Sequence, residues 1–149
     1  MADTSVDLER TPDGRRLVVA ARIDAPPDAV WTALIDTTAW PDWGPSVRAV
    51  DSPDRYVSLG TAGHIRTLGG LRVPFEITRF DADAPTRRWT WRVARLPATG
   101  HRVAPVDGAA ACRAGFELPP LAAGYAPVCR RALTRLDRLA TAGSWGREP

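Results

Sequence analysis

The feature that most constrains this chain is a change of period. From Val47 to about Leu118 apolar and polar residues alternate with a period of two, and from Leu121 to about Ala142 they recur at helical spacing. A period of two places successive side chains on opposite faces of a strand. Val47–Val50, Tyr56–Leu59, Gly63–Leu68, Leu71–Phe80, Arg87–Val93, Thr99–Val106 and Ala110–Leu118 are the strand candidates. The separators carry turn residues: Ser52-Pro53-Asp54, Gly69-Gly70, Asp81-Ala82-Asp83-Ala84-Pro85 and Asp107-Gly108. Spacings this short imply antiparallel hairpins.

Ahead of this run, Val6–Arg10 alternates, Thr11-Pro12-Asp13-Gly14 signals a turn, and Arg16–Ile23 reads as a strand rich in β-branched residues. A helix is expected to start near Pro27, where a missing N–H costs nothing, with Asp28 in its first turn and Val30, Trp31 and Leu34 as its apolar stripe. Pro41, Gly44 and Pro45 keep the following Thr37–Pro45 connection from forming a long helix. After Pro119-Pro120, the residues Tyr125, Val128, Cys129, Ala132, Leu133 and Leu136 lie on one face of the C-terminal helix, with Arg130, Arg131, Arg135 and Arg138 filling the other. Gly143 is the expected stop, and Trp145 falls in a short polar tail. Strand, short helices, a run of strands and one long helix make an α+β layout, with a helix layer against an antiparallel sheet.

At 149 residues the chain fits a single domain, with a core over about 15–142, an N-terminal hairpin or tail over 1–14 and a tail over 143–149. The net charge is +3, and every one of the 20 basic residues is Arg. Arg forks suit phosphates, but these are scattered and interleaved with acids, so nucleic-acid binding is not expected. No stretch approaches the roughly 18 consecutive apolar residues of a membrane span. The opening Met-Ala-Asp-Thr-Ser lacks a basic region followed by an apolar one, so a cytoplasmic location is expected by default. Cys112 and Cys129 lack metal-ligand spacing and read as buried, reduced thiols.

The sequence resembles the START-like (SRPBCC) superfamily, within the polyketide cyclase/dehydrase and lipid-transport group. The resemblance is carried by Ala25-Pro26-Pro27-Asp28-Ala29-Val30-Trp31 opening a helix after an N-terminal strand. It is carried also by the Trp-Pro-x-Trp element Trp40-Pro41-Asp42-Trp43, by Arg88-Trp89-Thr90-Trp91 in a mid-sheet strand, and by the amphipathic C-terminal helix. It spans about residues 15–142. It implies a helix-grip fold, with a curved antiparallel sheet of about six to seven strands wrapped around a long C-terminal helix, and two short helices after the first long strand. The superfamily includes hydrophobic-ligand carriers, aromatase/cyclases, hormone and quinone binders and chaperone regulators, so fold alone does not choose a function.

Strand parity narrows the interior. If Gly69-Gly70 is a two-residue turn, Leu68 pairs with Leu71, Arg66 with Val73 and His64 with Phe75, and paired residues share a face. The apolar side of that strand, Leu71, Val73, Phe75 and Ile77, should face inward and carry His64 and Arg66 with it. A turn of odd length would reverse the face. An inward Arg66 would need a partner, with Asp36 and Asp42 as candidates. The same parity turns Trp89, Trp91 and Val93 inward, with Cys112, Ala114, Phe116 and Leu118, and sends Arg88, Arg113 and Glu117 outward. The expected lining is Trp89, Trp91, Val73, Phe75 and Phe116, with Trp40 and Trp43 closing one end and His101 on the face of Val103.

No Gly-x-Ser-x-Gly, His-Glu-x-x-His or phosphate-cradling loop is present, and two His residues with scattered acids do not suggest a metal site. No cofactor is expected. The leading expectation is a binder of a small hydrophobic or aromatic molecule, acting as a monomer or homodimer. The alternative is an aromatase/cyclase-like enzyme in which Arg66 steadies an enolate and His64 or His101 moves a proton. A chaperone-regulator-like interaction module is the third reading.

Overall fold

The computed structural model describes residues 3–142. Eight strands form one antiparallel sheet: β1 (Thr4–Thr11), β2 (Gly14–Ile23), β3 (Val47–Asp51), β4 (Ala62–Thr67), β5 (Arg72–Asp81), β6 (Arg87–Val93), β7 (Leu96–Val106) and β8 (Ala111–Leu118). Their order is β1-β2-β8-β7-β6-β5-β4-β3, so every neighbouring pair except β2–β8 is a sequential hairpin or meander step. The helices are α1 (Pro27–Ile35), the four-residue α2 (Trp40–Trp43) and α3 (Ala126–Thr141). The sheet is larger than the six to seven strands expected, because the N-terminal hairpin pairs along its full length, from Thr4 opposite Ala21 to Thr11 opposite Gly14. Gly143 and Trp145 lie outside the described residues.

Two segments depart from the sequence pattern. Tyr56–Leu59 is not a sheet strand. Its backbone bonds instead to the end of α1, through Val57 N–H to Ile35 O at 2.9 Å and Thr37 N–H to Arg55 O at 2.8 Å. The C-terminal helix is shorter than expected: Pro120–Tyr125 forms 3₁₀ turns, and the α-helix begins only at Ala126. Pro127 has no N–H to donate backward but fits a first helical turn, which fixes the boundary.

Register slips at Ile77/Arg79 on β5 and Thr90/Arg92 on β6 bend the centre of the sheet. The concave face so made holds α3, which packs on β2, β8, α1 and α2. Alternation buries Val19, Ala21 and Ile23 of β2 against Phe116, Ala114 and Cys112 of β8, beneath Leu133 and Leu136 of α3. Trp40 and Trp43 hold α2 against α1, each through an indole N–H: Trp40 to Leu34 O at 2.9 Å and Trp43 to Ala33 O at 2.8 Å. Asp36, buried at the end of α1, takes Arg55 on both oxygens and the Thr38 hydroxyl at 2.6 Å. Burial alone would raise its pKa, but these bonds outweigh it and hold the carboxyl below its ordinary value.

The β4–β5 turn corrects the expected register. Thr67, not Leu68, pairs with Leu71, through Thr67 N–H to Leu71 O at 2.9 Å, and Gly70 N–H closes a turn onto Thr67 O at 2.9 Å. The loop therefore has three residues, with Gly70 in the left-handed region at φ +81°. The odd count moves every β4 side chain to the other face. Ile65 opposite Val73 and Gly63 opposite Phe75 point inward, while His64 opposite Pro74 and Arg66 opposite Arg72 point outward.

The outer face is not uniformly exposed. Glu117 points outward as parity requires, yet is only 1% exposed. It accepts Arg88 Nε at 3.0 Å and Arg102 Nη1 at 3.4 Å, and Arg102 also donates to Glu9 of β1 at 2.9 Å. Asp13, in the β1–β2 turn, reaches over this face to accept Arg79 Nε at 3.1 Å and the Thr90 hydroxyl at 3.0 Å. The N-terminal hairpin thus covers the middle of the outer face and buries a carboxylate there. Gly100 makes room for it, since a Cβ at that position would lie 2.6 Å from Glu117 Oε1.

Candidate functional site

Between the concave face, α2 and the start of α3 lies a cavity of about 630 Å³. Small-molecule sites commonly measure about 300–1,000 Å³. Trp40 and Trp43 form one wall, Trp91, Phe116 and Leu118 of the sheet another, and Val128, Cys129 and Ala132 of α3 the third. Ile65 and Thr67 line it from β4, occupying the place expected for Arg66 and His64. Leu96 at the start of β7 and Leu121 in the 3₁₀ segment also line it, and both are exposed, so they mark its mouth. Ser46 and Tyr125 also line it, and their hydroxyls meet at 2.5 Å, joining the loop after α2 to the start of α3. Burial pushes the Tyr125 phenol upward, opposed in part by this bond. Among the described residues that line the cavity there is no Arg, Lys, Asp or Glu.

The polar atoms at the sheet wall form one directed chain. Trp91 Nε1–H donates to Thr99 Oγ1 at 3.0 Å. Thr99 Oγ1 lies 3.3 Å from His101 Nε2, and His101 Nδ1 lies 3.3 Å from Trp89 O. A carbonyl only accepts, so Nδ1 carries the imidazole hydrogen and Nε2 is bare. The Thr99 hydroxyl therefore donates to Nε2. The β6–β7 register sets this up, because Trp89 stands opposite His101 and Thr90 opposite Gly100, so that Trp91 follows on the face of Thr99 and His101. His101 is 2% exposed, lies stacked on Trp89 and meets Trp91 and Phe116 edge-on. Burial drives its pKa down to about 3, with the bond to Trp89 O opposing, so it is neutral at ordinary pH. Cys129 on the helix wall has its thiol pushed up to about 12 by burial, and Cys112 in the core is raised to the same value. Both are free thiols in this structure, and neither is a ready nucleophile.

Of the residues singled out in the sequence, Trp40, Trp43, Trp91, Phe116 and His101 come together around the cavity. Trp89, Val73 and Phe75 share the inner face but stand behind it. Trp89 is fully buried between Trp40, stacked at 5.4 Å, and His101, and Phe75 packs on Trp40 and Trp91. The Trp89 indole N–H has no partner among the described residues. His64 and Arg66 are separated from the cavity by the sheet itself, and Asp36 is taken by Arg55. Thr99, Ser46 and Tyr125 were not read as polar lining from the sequence. Parity offered a signal for the first of these, since Thr99 is two residues before His101 and so shares its face.

A bent antiparallel sheet closed over an apolar cavity by its C-terminal helix defines a protein of the helix-grip type. The chain belongs to the polyketide cyclase/dehydrase and lipid transport family, whose model matches residues 15–141. No curated protein matches the sequence. Among solved structures, hypothetical protein jhp0584 from Helicobacter pylori is similar with a TM-score of 0.67 at 12% identity, over 83% of this chain and 86% of that one. Protein Ms6760 from Mycobacterium smegmatis gives 0.59 at 17%, over 94% and 98%. CalU16 from Micromonospora echinospora gives 0.58 at 17%, over 96% and 88%. At these identities the likeness is one of fold.

Proposed function

We propose that this protein binds a small, largely apolar molecule with an aromatic portion inside the cavity. The observation that carries the reading is an apolar space of about 630 Å³ walled by Trp40, Trp43, Trp91 and Phe116, with its few polar groups clustered at Thr99–His101 and Ser46–Tyr125. Indole and phenyl faces match flat ring systems. A few placed polar groups in an apolar pocket fix the orientation of a ligand. The cyclase alternative loses two of its three groups, because Arg66 and His64 lie across the sheet, and the third, His101, has a pKa far from that of a useful acid or base near neutrality.

Native mass spectrometry of the purified chain, followed by organic extraction of any bound species, tests the reading. Tryptophan fluorescence titration with flat aromatic probes complements it. A bound apolar molecule, or saturable quenching that Trp91→Phe weakens, supports it. The absence of both, in protein shown to be folded, sinks it.

A further inference from the structure

The donor and acceptor count at the sheet wall of the cavity narrows what such a ligand can be. This inference rests on the binding reading above. Each hydrogen in the Trp91–Thr99–His101–Trp89 chain is already committed: the indole N–H to Thr99, the Thr99 O–H to Nε2, and the Nδ1–H to the Trp89 carbonyl. A hydroxyl oxygen carries two lone pairs. One on Thr99 Oγ1 receives Trp91, and among the described residues nothing else donates to it. The inner polar point of the cavity therefore has capacity to accept and none to donate.

Charge is constrained as well. Among the described residues no cationic side chain lines the cavity, and neutral His101 adds no charge. A carboxylate brought to this point would lose its hydration without a counter-charge, which is costly, and the hydroxyl hydrogen that the Ser46–Tyr125 pair leaves over lies on the loop after α2 and the start of α3, not on the sheet wall. Ketones, ethers and esters would enter without that penalty but would set their oxygen against a lone pair. An O–H on an uncharged ring completes the chain.

We propose that the cavity selects an uncharged, hydroxyl-bearing aromatic molecule, its phenol-type O–H donating to Thr99 Oγ1, and discriminates against carboxylates and against isosteres whose oxygen bears no hydrogen. Thr99 is thus the specificity-determining residue, and Trp91 and His101 orient its lone pair.

The test is isothermal titration calorimetry on the full chain with 2-naphthol, 2-methoxynaphthalene and 2-naphthoate at about pH 7, where the first two are neutral and the third is an anion. 2-Naphthol is expected to bind at least about tenfold more tightly than the ether, reflecting one hydrogen bond in a buried site. The naphthoate is expected to give no saturable heat. Thr99→Val keeps the β-branched shape and removes the oxygen. It should lower the affinity for 2-naphthol and close the gap between it and the ether. An ether that binds as tightly as the naphthol, or a naphthoate that matches it, overturns the proposal. Three equal affinities would overturn the selection and leave the binding reading standing, whereas no binding by any probe would overturn both. The wild-type comparison decides the matter on its own if Thr99→Val does not fold.

Discussion

His101 lies flat on Trp89, with ring centroids 3.7 Å apart and planes 16° from parallel, while its Nδ1 bonds to the carbonyl of that same tryptophan. One residue therefore supplies both the surface that desolvates the imidazole and the acceptor that fixes its tautomer. Protonation would set a cation in a buried apolar site whose hydrogen-bond partners, the Trp89 carbonyl and the Thr99 hydroxyl, are both uncharged.

That arrangement makes stability depend on pH. The folded pKa of about 3 lies below the unfolded value of 6.5, so only the unfolded chain takes up this proton between the two. The contribution is fully present above about pH 6.5 and is lost as pH falls toward about 3, at up to about 1.4 kcal/mol per pH unit. Urea denaturation at a series of pH values should show this slope in the wild type. His101→Phe should flatten it in the upper part of the window, where carboxylates do not yet titrate. An unchanged slope in the variant would refute the assignment.

Glu117 is held by Arg88 and Arg102 under the N-terminal hairpin. Removing only the carboxylate, in Glu117→Gln, leaves two largely buried guanidinium groups short of a partner and should cost about 3 kcal/mol. Replacing Glu117, Arg88 and Arg102 together by leucine should cost much less than the single change. Chemical denaturation of the two variants makes the comparison.

Gly70 carries the turn that sets the register of β4. An alanine there meets no steric neighbour but must adopt φ +81°. The loss should be about 1 kcal/mol, read as a lower denaturation midpoint with an unchanged m-value.

Arg66→Ala and His64→Ala should leave the affinity for an aromatic probe within about twofold, because both side chains lie outside the cavity and any effect reaches it only through the sheet. Trp91→Phe removes the donor that orients Thr99 and should weaken binding several-fold. Fluorescence or calorimetric titration of the three variants distinguishes these outcomes. A large loss in Arg66→Ala would restore the register in which it faces inward.

Much of the architecture was legible because it rests on periodicity. The alternation of β5, β6 and β8 assigned Phe75, Trp89, Trp91 and Phe116 to the inner face, and the Arg-rich helical pattern located α3. Legibility failed where a single residue decides. Leu68-Gly69-Gly70-Leu71 reads as a two-residue turn until Gly70 is seen to add a left-handed third. Tyr56–Leu59 alternates like a strand, but its backbone partners are in α1, a long-range fact that no local pattern carries. Outward parity for Glu117 was correct, yet its burial depends on a hairpin over a hundred residues earlier in the chain. The polar chain through Thr99 depends on the β6–β7 register, Trp89 opposite His101, which the weak alternation of β7 does not fix by itself.

The three-residue loop at Leu68–Gly70 has a consequence for how such a protein diversifies. Pairing Thr67 with Leu71 across three residues keeps Ile65 on the inner wall, whereas pairing Leu68 with Leu71 across Gly69-Gly70 would exchange it for Arg66 and bring His64 inside beside it. One step of register at a solvent-exposed tip therefore separates a neutral chamber from one that holds a guanidinium, with no change of sequence in the strand itself. In a lineage built on this scaffold, the residues that fix this turn, Gly70 above all, carry information about ligand charge that the strand sequence alone does not show.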